Sequence, residues 1–93
     1  MAAVYVLYSK KIDAFYIGSC HDLDERLLEH TQKNYKSSFT TRADDWELFL
    51  KIEDLNFQQA RNIEAHIKRM KSRKYLHNLI LHSEIIDKLI QHY

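Results

Sequence analysis

Arg26 and His30 could do chemistry together because of their types and their spacing. They are four residues apart, and in a helix that spacing places them on one face, about 6 Å apart along the axis. Arginine binds anionic oxygens, and histidine transfers protons near neutral pH. The ordinary alternative is a solvated helix face on which Glu25 or Glu29 pairs with a neighbouring residue.

Glu64 is the one acidic residue in a basic segment. Between residues 61 and 77 the sequence has six Lys or Arg residues and this single acid. A lone carboxylate among cations can hold a metal ion or can form an ion pair with a neighbour. The spacing alone leaves both roles open.

Tyr5 and Tyr16 lie in two short runs of β-type sequence near the N-terminus. Residues 4–8 (VYVLY) and 15–18 (FYIG) are separated by a polar turn, which predicts an antiparallel hairpin. Gly18, the only glycine of the chain, ends the second run. The two tyrosines either pack on the strands with their hydroxyl groups in solvent or contact a ligand.

The next two elements are a helix and a strand. Asp22 and Glu25 form a capping-box arrangement that starts a helix over residues 23 to about 32. A narrow apolar stripe marks its inner face: Leu23, Leu27 and Leu28. A polar segment at 34–45 follows, and alternating apolar residues then predict a strand at 46–53.

The last third of the chain is predicted to be helical. Asn56, Ser72 and Ser83 are the expected starts of three helices. The core face of the first of these has apolar residues at spacings of three and four: Phe57, Ala60, Ile63, Ile67 and Met70. The final segment, 83–93, also has an apolar side, formed by Ile85, Ile86, Leu89 and Ile90.

The element order predicts an α+β fold, in which a small three-stranded, mainly antiparallel sheet is flanked by helices in the order β-β-α-β-α-α. We expect one domain over residues 1–93, with a core at about 3–80 and an extra C-terminal helix at about 83–93. One glycine and no proline exclude a glycine-rich phosphate loop and a dinucleotide fingerprint. The single Cys20 excludes an internal disulfide. The absence of a long apolar run or a signal peptide favours a cytoplasmic protein without a membrane partner.

Four separated motifs resemble the GIY-YIG nuclease superfamily. The first pair is Ala3-Val4-Tyr5 and, ten residues later, Tyr16-Ile17-Gly18, with Ala3 where the family has glycine. Three further stretches are similar to the family's later motifs: the one from Asp22 through Arg26 to His30, the one from Ala60 through Glu64 to Lys68, and the tail 71–74. The tail and the stretch 38–42 resemble small stand-alone bacterial members, and the domain resembles the N-terminal domain of the excision-repair nuclease UvrC.

The resemblance implies a metal-dependent endonuclease that hydrolyses nucleic acid, with DNA as the substrate and DNA repair as the setting. One Mg²⁺ (or Mn²⁺) per site would be held by Glu64, and Arg26 would donate to a phosphate oxygen. Tyr5 is the leading candidate for removing a proton from water. His30 is the alternative base or the residue that orients Tyr5. Tyr16 would position phosphate or water.

Two further expectations accompany the resemblance. Gly18 would let the backbone approach a phosphate or the first helix closely. A set of basic residues would hold the nucleic-acid backbone without reading sequence: Lys36, Arg42, Lys68, Lys71, Arg73 and Lys74. The nuclease assignment requires the five candidate catalytic side chains to converge on one concave, solvent-open surface.

Two other functions remain open at this point. One is a non-catalytic nucleic-acid-binding domain on the same scaffold. The other is a small interaction module that forms a homodimer through the C-terminal helix, in which case truncation at Ser83 changes the oligomer and leaves any nucleic-acid activity intact.

Overall fold

The computed structural model describes residues 1–31 and 42–93, except for the side chains of residues 30 and 31. The elements are β1 (Ala2–Ser9), β2 (Ala14–Cys20), α1 (Leu23–Thr31), β3 (Glu47–Leu55), α2 (Phe57–Met70), α3 (Arg73–Leu81) and α4 (Ser83–His92). This order and the α+β class confirm the fold predicted from the sequence. No helix within the described ranges has the length and apolar character that a membrane crossing needs.

The sheet has the strand order β2-β1-β3 within the described residues, and both pairs are antiparallel. Because β1 lies in the centre, β2 is an edge strand. Tyr5 on β1 is paired with Gly18 on β2 and with Lys51 on β3. β2 continues two residues past its predicted end, so Gly18 lies inside the strand.

The predicted alternation of β3 is wrong in part, because the strand has two irregularities where it pairs with β1. The extra residue of one is Phe49, which lies between the partners of Val6 and Leu7. Phe49 and Leu50 both pack against the main core cluster, as a bulge permits. The other irregularity adjoins Asp54, whose φ is 62°.

The sheet has a different cover on each side. On one side, which we call the α1 face, the buried residues are Ala3, Tyr5, Leu7, Cys20 and Leu23. On the other side, the α2 face, Val4 and Val6 join the main cluster with Ala60, Ile63 and Ile67 of α2. Successive strand residues point to opposite faces, so each side chain of β2 lies on either the α1 face or the α2 face.

Side-chain caps fix where three helices begin, as the sequence predicted. The backbone N–H groups of Glu25, Gln59 and Tyr75 donate to the side chains of Asp22, Asn56 and Ser72 at 3.2, 2.7 and 3.1 Å. Each such cap is worth about 1 kcal/mol. The caps set the rotation and start of α1 and α2, and so determine which of their residues meet the sheet.

α4 packs on the rest of the domain. Leu89 is 7% exposed and belongs to the main core cluster, against which Ile85 and Ile86 also pack. The side chain of Gln59 on α2 donates to the backbone oxygen of Ile90 at 2.8 Å. The hydrophobic core therefore continues past residue 80, and most of the apolar side of α4 is used within the chain.

Candidate active site

Tyr5 and Arg26 meet on the α1 face. Tyr5 is 0% exposed, and its Oη accepts a hydrogen bond from Nη1 of Arg26 at 3.3 Å. Arg26 lies one turn after the Asp22 cap, so the cap that starts α1 also aims this guanidinium at β1. The first motif tyrosine and the motif arginine are thus in direct contact.

Arg26 keeps part of its side chain at the surface. Its Nε lies 3.5 Å from Oε2 of Glu29, and the side chain is 24% exposed. A guanidinium held at both ends presents its remaining N–H groups in a fixed plane, which suits binding of a phosphate oxygen.

Tyr16 lies on the same face, beside this pair. Its ring centroid is 6.2 Å from that of Tyr5 and 6.5 Å from that of Trp46. Tyr16 and Trp46 are both half-buried and pack against the α1-face cluster. Trp46 thus packs against the second motif tyrosine.

Gly18 is required by Tyr5. A Cβ on Gly18 would lie 2.7 Å from both Cζ and Oη of the Tyr5 ring, far closer than carbon atoms pack. The φ of Gly18 is not positive, so the need for glycine is steric. The space that we expected to admit a phosphate or α1 is filled by the phenol of the first motif.

Glu64 lies on the α2 face, at the edge strand. Its Oε1 accepts a hydrogen bond from Oγ of Ser19, and its Oε2 lies 2.6 Å from Nζ of Lys68. The Glu64 side chain is 16% exposed. Ser19 was not among the predicted site residues, although its position next to Gly18 on a strand places it on the face opposite Tyr16 and Gly18.

The nuclease assignment was expected to bring five side chains together on one surface, and the four described ones do not meet that expectation. Tyr5, Tyr16 and Arg26 come together on the α1 face, whereas Glu64 approaches β2 from the α2 face. Within the described residues β2 is an edge strand, and Tyr16 and Ser19 on this strand lie beside the two groups, one on each face. His30 lies on α1, and its side chain is outside the described part of the chain.

Comparison with known proteins supports the motif assignment. The sequence model of the GIY-YIG catalytic domain matches residues 1–76. The chain belongs to the GIY-YIG family. Neither the curated proteins nor the solved structures contain a significant match to the chain. The GIY-YIG match spans all three strands, α1, α2 and the start of α3, and α4 follows it.

The GIY-YIG family implies a divalent metal, and a single carboxylate such as that of Glu64 is compatible with an ion like Mg²⁺. This ion usually keeps several waters and takes only one or two carboxylates from the protein. Among the described residues, no group of three or more His, Cys, Asp or Glu could form an all-protein cage. Glu64 would be the protein ligand, and Lys68 would give up its contact with the carboxylate.

The basic residues predicted to contact nucleic acid in this GIY-YIG domain differ in their surroundings, since some are ion-paired and others are exposed. Lys68 pairs with Glu64, and Nη1 of Arg73 pairs with Oδ1 of Asp13 in the β1–β2 turn at 2.8 Å. The other described members are exposed: Arg42, Lys71 and Lys74. Lys36 is outside the described residues.

Cys20 is not a nucleophile in this structure. Burial raises the pKa of its thiol, which disfavours the reactive thiolate. Its Sγ lies 3.9 Å from the backbone oxygen of Ala3. Cys20 therefore acts as a small apolar residue on the α1 face.

Proposed function

We propose that this GIY-YIG domain is a metal-dependent endonuclease that hydrolyses phosphodiester bonds in DNA by attack of water. The observation that carries the proposal is the contact between Arg26 and Tyr5 beside Tyr16, with Glu64 across the same edge strand. Family membership indicates a nuclease-type catalytic domain. The metal, the DNA substrate and the residue roles are our proposal.

Arg26 stabilises the charge on the phosphate in this mechanism. Its contacts with Tyr5 and Glu29 fix the guanidinium before the substrate arrives. Charge stabilisation by a preorganised donor acts without reorganisation during the reaction. Glu64 would hold the divalent ion, which would supply Lewis-acid polarisation and a more acidic water.

Burial changes the role that we propose for Tyr5. The side chain has no exposed surface, and its oxygen already accepts from Arg26. A buried acceptor of this kind orients the guanidinium, so in this mechanism Tyr5 is a positioning residue. Tyr16, which is half-buried, and His30 are the candidates for positioning or deprotonating the attacking water.

The substrate phosphate is proposed to lie at the open edge of β2. At that place one phosphodiester could contact Arg26 from the α1 face, and Glu64 would hold the divalent ion on the α2 face of the same strand. The hydroxyl of Ser19 holds the carboxylate of Glu64 at the edge. In this arrangement the two faces of one strand contribute to one reaction.

A cleavage assay tests the proposal. Branched, nicked and single-stranded DNA and RNA are incubated with Mg²⁺ or with chelator, and Arg26→Gln is compared with the wild type. Lys88→Gln, an exposed change on α4, is the control. We expect metal-dependent cleavage of DNA that Arg26→Gln loses and Lys88→Gln keeps.

Non-catalytic nucleic-acid binding is the second candidate function. It is favoured by the contacts at Glu64, because both carboxylate oxygens are engaged by Ser19 and Lys68. Binding of DNA without cleavage of any substrate in Mg²⁺ or Mn²⁺ would support this alternative and refute the endonuclease.

A further inference from the structure

Two exposed rings are stacked beside the candidate active site. The imidazole of His21 and the phenyl ring of Phe57 have centroids 4.0 Å apart and planes that differ by 11°. Phe57 is 39% exposed, and His21 is also exposed. The sequence placed Phe57 on the core face of α2, so its exposure is a departure from the prediction and calls for another explanation.

A cation adjoins the stack. Cζ of Arg61, on an exposed side chain, lies 5.8 Å from the centroid of the Phe57 ring. Aromatic rings combined with Arg are the means by which proteins bind unpaired nucleotides, because every base has a flat face that stacks. The chemistry of this surface therefore fits a nucleobase with its phosphate.

The stack is aligned with Glu64. Phe57, Arg61, Glu64 and Lys68 are spaced by four, three and four residues on α2, which places them along one side of the helix. Ser19 near the end of β2 and His21 just after it contact the same side, at Glu64 and Phe57. Glu64 follows Phe57 by seven positions, a rise of about 10 Å along the helix, or roughly three nucleotides of stacked strand.

Acidic residues limit how a strand can lie there. Asp22, Asp24, Glu53 and Asp54 line a depression together with His21. Phosphates are repelled from that side, so the backbone of a bound strand runs on the side of Arg61 and Lys68. A base can still reach the rings because it carries no charge.

We propose that an unpaired nucleobase of the substrate stacks on the His21–Phe57 pair, within about three nucleotides of the cleaved phosphodiester, while Arg61 contacts the adjoining phosphate. The inference rests on the proposed function, since it concerns the same substrate. It adds that the substrate has an unpaired base near the cleavage point, because a base inside a duplex cannot stack on a protruding side chain.

Equilibrium binding in chelator tests this without cleavage. The probe is a labelled single-stranded DNA, and a fully paired duplex of the same sequence is the comparison. We expect Phe57→Leu and His21→Ala to bind the single strand roughly 5- to 100-fold more weakly, the scale of one base–aromatic stack. The control Leu81→Ala, 71% exposed on α3, should bind as the wild type, and the duplex should be little affected by any of the three.

Abasic probes show whether a base is the group that stacks. Removing one base at the contacted position should weaken binding by the wild type and have no further effect on Phe57→Leu, as expected for coupled partners. Arg61→Gln should lower the slope of log affinity against log salt by about 1. Thermal unfolding of each variant separates loss of binding from loss of fold, and His21→Ala tests the stack through its other ring if Phe57→Leu fails to fold.

Each other outcome overturns the inference in a recognisable way. Equal binding of the single strand by wild type, Phe57→Leu and His21→Ala would refute the stack, while metal-dependent cleavage would leave the endonuclease intact. If no abasic position changes the affinity of the wild type for the single strand, the stack is also refuted. Absence of any nucleic-acid binding by the wild type would refute both the stack and the proposed function.

Discussion

Gly18 is the only glycine of the chain, and the place of its missing Cβ is taken by the ring of Tyr5. We expect Gly18→Ala to lower the free energy of unfolding by about 1–3 kcal/mol, the usual cost of overpacking. Cleavage should also fall, by roughly tenfold or more, because the displaced phenol no longer orients Arg26. Chemical denaturation and the cleavage assay measure the two effects.

A double variant separates crowding from other causes. In Gly18→Ala/Tyr5→Leu the added methyl no longer meets a phenol, so the destabilisation should be less than the sum of the two single changes, with a coupling of about 0.5–3 kcal/mol. Cleavage should stay low because Arg26 has lost its acceptor. Strict additivity of the two stability effects would contradict the steric role of Gly18.

The sequence predicted the residues that carry family motifs, and alternation along β2 explains what it left out. Tyr16 and Gly18 point to the α1 face, and Ser19 points to the α2 face, where Glu64 binds it. Which helix covers which face is a tertiary property, so the motifs could not show that Glu64 approaches from the other side. Phe57 was assigned to the core from its spacing, yet helix periodicity does not show where the covering sheet ends.

At the scale of elements, His66 links α2 to α3 and to the C-terminal Tyr93 through contacts of its two ring nitrogens. Nδ1 of His66 on α2 lies 3.0 Å from Oη of Tyr93, and Nε2 lies 3.2 Å from Oη of Tyr75 on α3. Burial lowers the pKa of His66, and Arg69 and His92 lower it further. His66 is therefore held in its neutral form more strongly in the folded state than in the unfolded state.

The direction of the pH effect follows from this lowered pKa. The stabilisation is fully present above the ordinary histidine pKa, about 6.5, and is lost as the pH falls through the lower folded value. We expect the free energy of unfolding to decrease below about pH 6.5 in the wild type and to do so less steeply in His66→Gln. Denaturation at several pH values measures both curves, with His77→Gln as control; parallel curves for wild type and His66→Gln would refute the effect.

Element boundaries were largely predictable because capping residues mark them. Asp22, Asn56 and Ser72 were assigned from sequence and make the expected cap bonds. The irregularities of β3 were not predictable from its apolar alternation, since an extra residue such as Phe49 leaves the composition of the strand unchanged.

At the scale of the whole molecule, α4 is part of the fold. Leu89 is buried in the main core, so Leu89→Ala should destabilise the domain by about 2–4 kcal/mol. Ile90→Ala, at a position 36% exposed, should cost much less. Removal of residues 82–93 should destabilise more than either, because it also removes Tyr93 from His66.

The same variants test the homodimer expected from the sequence. An apolar helix face predicts burial but does not identify the surface that covers it. Residues 83–93 could therefore be assigned either to a dimer interface or to the chain's own core. If α4 serves the core, sedimentation should give a monomer mass for wild type and for Ile90→Ala. A dimer that dissociates in Ile90→Ala without loss of stability would support the interaction module.

The central claim is that Glu64 on the α2 face and Arg26 on the α1 face serve one metal-dependent cleavage reaction. The most direct test is the cleavage rate of Glu64→Gln in saturating Mg²⁺, compared with the wild type and with Glu84→Gln on the exposed side of α4. We predict that Glu64→Gln lowers the rate by roughly two orders of magnitude, the scale of losing one charge-stabilising group, and that Glu84→Gln leaves it unchanged. Cleavage by Glu64→Gln at the wild-type rate would contradict the claim.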